Sequence, residues 1–152
     1  MKEKNDYLVS HILNPSFVID DVLRIIKDIP SVDNFHSIKQ KWFIGRRFVQ
    51  EDVRWREYGG MDYEIKKKVS MVLVNKVGKE YSLEKINSYV RFYNSHLNLF
   101  NKLNDSNSIL SWEHYLCSMK IKDISKRSQL EKISYLNNWS VETLQKEILK
   151  LK

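Results

Sequence analysis

The sequence predicts an all-α fold, a small helical domain with helix-turn-helix-like units, and three observations carry that expectation. Apolar residues recur at three- and four-residue spacing along most of the chain. Only four Gly and two Pro interrupt it, and no Asn-Gly or Asp-Gly pair marks a β-hairpin. Ser or Asp residues also stand just ahead of successive periodic runs, where helix N-caps belong.

The elements follow in order. Pro15 and Ser16 open a first amphipathic segment, Phe17-Val18-Ile19 to Ile25-Ile26, which must stop before Pro30. A longer helix is expected from about Asp33 to Arg56, with Phe35, Ile38, Trp42, Phe48 and Val49 at near-helical spacing. Tyr58-Gly59-Gly60 ends it, because paired glycines suit a C-terminal cap and turn. Gly45 inside this helix costs about 1 kcal/mol against Ala, and reads as room for a crossing helix. From Tyr63 to Val77 a third helix places Ile65, Val69, Val72 and Leu73 on one face, although its valines lower helix propensity. The turn Val77-Gly78-Lys79-Glu80-Tyr81 leads to a helix capped by Ser82. Asn101 to Ser108 is polar and reads as a linker. Ser111, Asp123 and Ser140 are the expected caps of three further helices.

A chain of 152 residues is expected to form one domain over 1–152, with 1–100 and 110–152 as subdomains about a linker near 101–109. Such a chain buries roughly 70% of its unfolded surface and needs no metal or disulfide staple. Cys117 stands alone, so no disulfide framework exists and a reducing compartment fits. No signal peptide is visible, and no run approaches about 18 consecutive apolar residues. The expectation is a cytoplasmic protein with no membrane partner. Against 19 Asp and Glu stand 26 Lys and Arg, giving a net charge of +7. An excess of this kind is the footprint of a polyanion binder, although Lys-rich chains are often basic without one.

The run Ser82–Tyr93, SLEKINSYVRFY, holds the candidate site. Glu84 in its first turn suits the positive end of the helix dipole. Leu83, Ile86, Val90, Tyr93 and Leu97 form an apolar stripe, widened by Tyr89 and Phe92. The opposite face carries Asn87, Ser88, Arg91, Asn94 and Ser95, with Lys85 at its edge. Asn can bond adenine bidentately, Arg can bond guanine, and Ser and Lys can reach phosphate oxygens. With the preceding helix and its Gly-containing turn this makes a helix-turn-helix pattern. Any surface helix of a bundle shows a similar stripe, so periodicity alone does not separate recognition from packing. Arg46 and Arg47, flanking Gly45, are read as solvent-facing or phosphate-reaching. A second helix-turn-helix-like unit is expected where Leu130, Ile133 and Leu136 face inward. The turn Asn137-Asn138-Trp139 follows, and Ser140 caps a helix carrying Val141, Leu144 and Ile148. Trp139 is expected in the core, as a hydrophobic staple would be.

Catalytic chemistry has little support. His11, His36, His96 and His114 are scattered with no metal-ligand spacing, so no metal and no cofactor are expected. His114 reads as a buried, hydrogen-bonded residue and Cys117 as a core thiol. Glu64-Ile65-Lys66, near Asp62, matches the Glu-x-Lys of metal-dependent nucleases literally, but it sits in a helical pattern rather than on a strand.

Several motifs in sequence order carry a resemblance. They are Trp42-Phe43-Ile44-Gly45-Arg46-Arg47, Glu57-Tyr58-Gly59, Ser82…Arg91-Phe92-Tyr93 and Leu110-Ser111-Trp112-Glu113-His114-Tyr115. Ile121-Lys122-Asp123 and Asn138-Trp139-Ser140-Val141-Glu142-Thr143-Leu144 complete the series. From about Ile38 to Ile148 the chain resembles the N-terminal domain of the YhcG-like proteins, in which that domain precedes a PD-(D/E)XK nuclease domain. The resemblance implies an all-helical, helix-turn-helix-like DNA-binding module of bacterial origin, non-catalytic by itself, with duplex DNA as partner. It also implies a C-terminal nuclease domain in the parent protein. The chain departs from the family on the helix ending in Phe-Tyr. There it has Asn87, Ser88 and Val90, keeping Arg91, where the family usually carries several arginines. It reads as the N-terminal part of a nuclease-associated protein or a stand-alone version of it. The competing expectation is a helical protein-interaction domain, in which aromatics near Trp112 mediate homo-oligomerisation or partner docking and the charge is incidental.

Overall fold

A computed structural model describes residues 15–61, 63–100 and 108–151. Seven α-helices and no strand occur among them. The expected linker residues 101–107, and His11 and Asp62, lie outside the described residues.

Helix α1 spans Pro15–Asp28 and buries Val18 and Val22. Pro15 occupies the first turn, where its missing N–H has no partner to lose. Helix α2, Asn34–Arg54, starts from Asp33, whose carboxylate accepts the His36 N–H at 2.8 Å. At 21 residues it runs about 31 Å and forms the spine of the molecule. A 3-10 turn, Arg56–Tyr58, and Gly59 and Gly60 at φ of 91° and 82° end it, with the Gly60 N–H returning to the Trp55 carbonyl at 2.8 Å. Helix α3, Tyr63–Lys76, buries Val69, Ser70 and Leu73. A turn through Gly78 and a 3-10 segment, Lys79–Tyr81, leads to the Ser82 cap and helix α4, Leu83–Ser95.

Gly45 explains how α4 fits. A Cβ there would lie 2.1 Å from the Tyr89 carbonyl oxygen and 3.1 Å from the Tyr93 Cβ. The crossing helix anticipated from the sequence is therefore α4, which makes the most extensive contact with α2. Its buried line is Ile86, Tyr89 and Phe92. Leu83, Val90 and Tyr93 flank that line half-buried, and Leu97 falls beyond the helix end and is exposed. The stripe is thus turned towards Tyr89 relative to the sequence reading, because the Gly45 notch draws that part of the helix closest.

Helices α5 (Trp112–Ser118), α6 (Ile124–Leu136) and α7 (Val141–Leu149) begin at Ser111, Asp123 and Ser140, each accepting the N–H three residues on. Asn138, at φ 51°, closes α6, and the Trp139 N–H returns to the Ser134 carbonyl at 2.9 Å. The inward face of α6 differs from the expected one. Arg127 and Ser134 are buried, Leu130 and Ile133 are half-buried, and Leu136 is 65% exposed. Trp139 is only half-buried.

Two apolar clusters fill the interior. One gathers Val18, Val22, Ile44, Phe48, Leu73 and Tyr89, and the other Ile38, Trp42, Phe92, Leu110 and Tyr115. Trp112 packs against both. Residues on either side of 101–107 therefore share one core. Polar ties reinforce it: the Trp42 indole N–H donates to the His96 carbonyl at 2.9 Å, and His96 Nε2 lies 2.7 Å from the Glu131 carboxylate. None of the helices is long and apolar enough to cross a membrane among the described residues.

Candidate nucleic-acid interface

With α4 held by Gly45 on one side, the opposite face is left to solvent. Asn87, Arg91 and Asn94 are exposed there. Ser88 is half-buried; its hydroxyl donates to the Glu84 carbonyl at 3.2 Å and accepts from Arg91 Nη2 at 3.2 Å. It thus orients Arg91 more than it offers a donor of its own. Lys85 is exposed but stands about 120° around the helix from Arg91. It belongs with Lys41, whose ammonium lies 5.7 Å from the ring centres of Tyr89 and Trp112. Burial lowers the Lys41 ammonium below its ordinary range; Glu80 and Glu113 oppose that shift and the neighbouring Lys85 charge adds to it.

Grooves border the exposed face on both flanks. One, of about 280 Å³, runs between α2, α3 and α4, with Phe48, Ile86 and Val90 as its apolar floor. Its polar lining is Asp52, Arg56, Lys66, Asn87 and Asn94. Asp52 is occupied by the Met61 N–H at 3.0 Å. The other groove, of about 410 Å³, lies between α4 and the α5–α6 link and is lined by Arg91, Asn94, Ser95, Met119, Lys122, Ile124 and Arg127. Asn94 borders both. Among the described residues, Arg56, Lys66, Arg91 and Lys122 enter no ion pair.

The two α2 arginines part company. Arg46 is half-buried, its guanidinium 6.0 Å from the Trp42 ring centre and 5.8 Å from that of Phe43. Arg47 is turned inward, its side chain 13% exposed, donating to Asp21 at 2.8 Å and to Glu51 at 2.7 Å. Burial works against the Arg47 charge, but the bonds to Asp21 and Glu51 outweigh it and hold the guanidinium above its ordinary value. Glu51 is itself fully buried and also accepts the Trp55 indole N–H at 3.0 Å. Arg47 therefore ties α1 to α2 and does not offer its guanidinium to solvent. Successive residues on a helix diverge by about 100°, which also separates Lys66, facing the groove, from exposed Lys67 and Lys68.

No sequence signal gathers Lys66, Lys122 and Arg127 around α4. Lys122 is visible only as a cation ahead of the Asp123 cap, and its approach depends on packing across residues 101–107.

The remaining candidates for chemistry resolve into structure. His114 bridges the Ser111 hydroxyl at 2.6 Å and the Trp139 carbonyl at 2.7 Å, half-buried and hydrogen-bonded. Cys117 is buried, with the Gln145 amide 3.5 Å from its sulfur. Glu64-Ile65-Lys66 lies on the first turns of α3, not on a strand. No cluster of three or more His, Cys, Asp or Glu residues suited to a metal occurs among the described residues.

Residues 26–151 match the model of the DUF1016 N-terminal domain. No curated protein and no solved structure matches the chain.

Proposed function

The chain belongs to the DUF1016 N-terminal domain family, the YhcG-like N-terminal domain that precedes a nuclease domain, and we propose that it is a DNA-binding module without catalytic activity of its own. In this reading α3, the Gly78 turn and α4 act as a helix-turn-helix, and α4 enters the major groove of duplex DNA. The observation that carries it is the solvent face of α4, where Asn87, Arg91 and Asn94 stand between grooves holding Arg56, Lys66 and Lys122, none of which forms an ion pair among the described residues. Asn87 and Arg91 have the donor and acceptor sets for base edges, and the flanking cations suit phosphates. The module would deliver the nuclease domain of its parent protein to DNA.

Salt tests this directly. If Arg56, Lys66 and Arg91 each meet a phosphate, these three contacts alone contribute about −2.7 to the log–log slope of affinity against salt, so affinity falls at least about 40-fold between 50 and 200 mM salt. Absence of duplex binding at low salt overturns the reading. A second reading, docking of a protein partner, is favoured by the exposed apolar side chains Ile124, Leu136 and Leu149 on α6 and α7. It predicts a partner interaction with weak salt dependence.

A further inference from the structure

We propose that the groove between α4 and the α5–α6 link is a seat for a nucleic-acid backbone phosphate, held by Arg91, Lys122 and Arg127 with Lys120 at its margin. The inference rests on the DNA-binding reading and extends it to a part of the chain remote from α4 in sequence.

Among the described residues, three cations and two neutral polar residues, Asn94 and Ser95, line this groove, and no carboxylate does. Lys120 borders the adjoining hollow beside Arg91, Leu116 and Met119. The most telling member is Arg127, only 8% exposed. Its guanidinium donates to two neutral carbonyls, Ser95 at 2.7 Å and Ile121 at 3.4 Å, and makes no ion pair among the described residues. One turn on, Glu131 could have neutralised it, but its Oε2 is engaged by His96 and by the Ser118 hydroxyl. Next to Lys122, the Asp123 carboxylate accepts the Lys126 N–H at 3.1 Å as the α6 cap. A buried cation with only neutral partners is costly, and an anion in the groove offsets that cost. Guanidinium groups present a planar fork that matches phosphate oxygens.

Placement favours a duplex over an isolated anion. A helix with its side chains is about 10–12 Å wide, close to the width of the major groove of about 12 Å. With α4 seated there, one strand's backbone passes Arg56 and Lys66 and the other passes Lys120, Lys122 and Arg127. Cations on both flanks of one helix are what the two walls of that groove require.

The experiment is duplex binding by fluorescence anisotropy across a salt series, using the full chain and two variants whose helicity is checked by circular dichroism. Lys120→Ala with Lys122→Ala removes exposed side chains at the seat, and Lys67→Ala with Lys68→Ala removes an equal charge from the exposed side of α3. The expected result is a salt slope shallower by about 1.8 in the first variant, two contacts of about 0.9 each, and unchanged in the second. A wild-type slope in the first variant overturns the seat and leaves the α4 reading standing. Equal loss in both variants also overturns it, since a diffuse field would then explain the effect. If the unmodified chain binds no duplex, the DNA-binding reading fails and the seat fails with it.

Discussion

Substituting Gly45 by Ala tests the contact that positions α4. In an isolated helix the change would stabilise by about 1 kcal/mol, because Gly has the greater backbone freedom to lose. Here the new Cβ would sit 2.1 Å from the Tyr89 carbonyl oxygen and 2.7 Å from its carbon, both rigid backbone atoms. Contacts of that type begin near 3.0 Å, so α2 and α4 must part by about 0.9 Å. A gap of that size forfeits roughly a quarter to a half of the dispersion attraction between facing atoms. Ile44, Phe48, Ile86 and Tyr89 all lie in the cluster affected. Two backbone contacts this short put the overpacking cost at the upper end of the usual range, about 3 kcal/mol, so the expected net loss after the propensity gain of about 1 kcal/mol is about 2 kcal/mol. For a domain of this size that lowers the Tm by about 4–8 °C. Thermal and urea denaturation of Gly45→Ala against the unmodified chain measures it. A variant as stable as the unmodified chain, or more so, would show that α2 and α4 do not approach through Gly45.

Further outcomes are equally specific. Glu51→Ala, which leaves Arg47 with Asp21 alone and the Trp55 indole N–H without its acceptor, should cost about 3 kcal/mol in urea denaturation, whereas Arg46→Ala should cost about 1 kcal/mol or less because only ring stacking is lost. A comparable loss in both would refute the division of roles between these arginines. Arg91→Ala should weaken duplex binding by about 1–3 kcal/mol and change sequence preference if the side chain pairs with guanine, or weaken all sequences alike and reduce the salt slope by about one if it meets phosphate. Unchanged affinity in a folded Asn87→Ala, Arg91→Ala double variant would remove α4 from the site. Burial, followed by the neighbouring Tyr81 and Glu80, raises the Tyr89 phenol above its ordinary value of 10.0, and burial does the same for Tyr115. A group whose folded pKa is raised stabilises fully below its unfolded pKa and loses that contribution as pH rises, so stability should decline above about pH 10. Denaturation midpoints that stay level from pH 10 to 11 would contradict that burial.

The helices and their beginnings were legible in the sequence because capping is local. Ser82, Ser111, Asp123 and Ser140 each need only the backbone N–H three residues on, and each finds it. Gly45 could be read as a crossing point because the cost of Gly within a helix calls for a packing reason. The direction of each buried face was less legible. Leu136 continues the apolar spacing of α6 yet is exposed, while Arg127 on the same helix is buried against the carbonyls of Ser95 and Ile121. Hydrophobicity cannot anticipate that exchange, since it depends on Ser95 and Ile121 offering acceptors. Arg46 and Arg47 carry the same chemistry one residue apart, and the positions of Asp21 on α1 and of buried Glu51 one turn on decide which turns inward. The candidate site was half visible. Asn87 and Arg91 follow from the α4 face, but Lys122 and Arg127 reach it through tertiary packing that no window of sequence contains.

Mapping amide shifts of the ¹⁵N-labelled chain on addition of a short duplex tests the central claim most directly. Shifts concentrated at Asn87, Arg91 and Asn94, extending to Lys66 on one flank and Lys122 on the other, are expected. Shifts confined to the exposed apolar side chains of α6 and α7, with the α4 face unmoved, would contradict it.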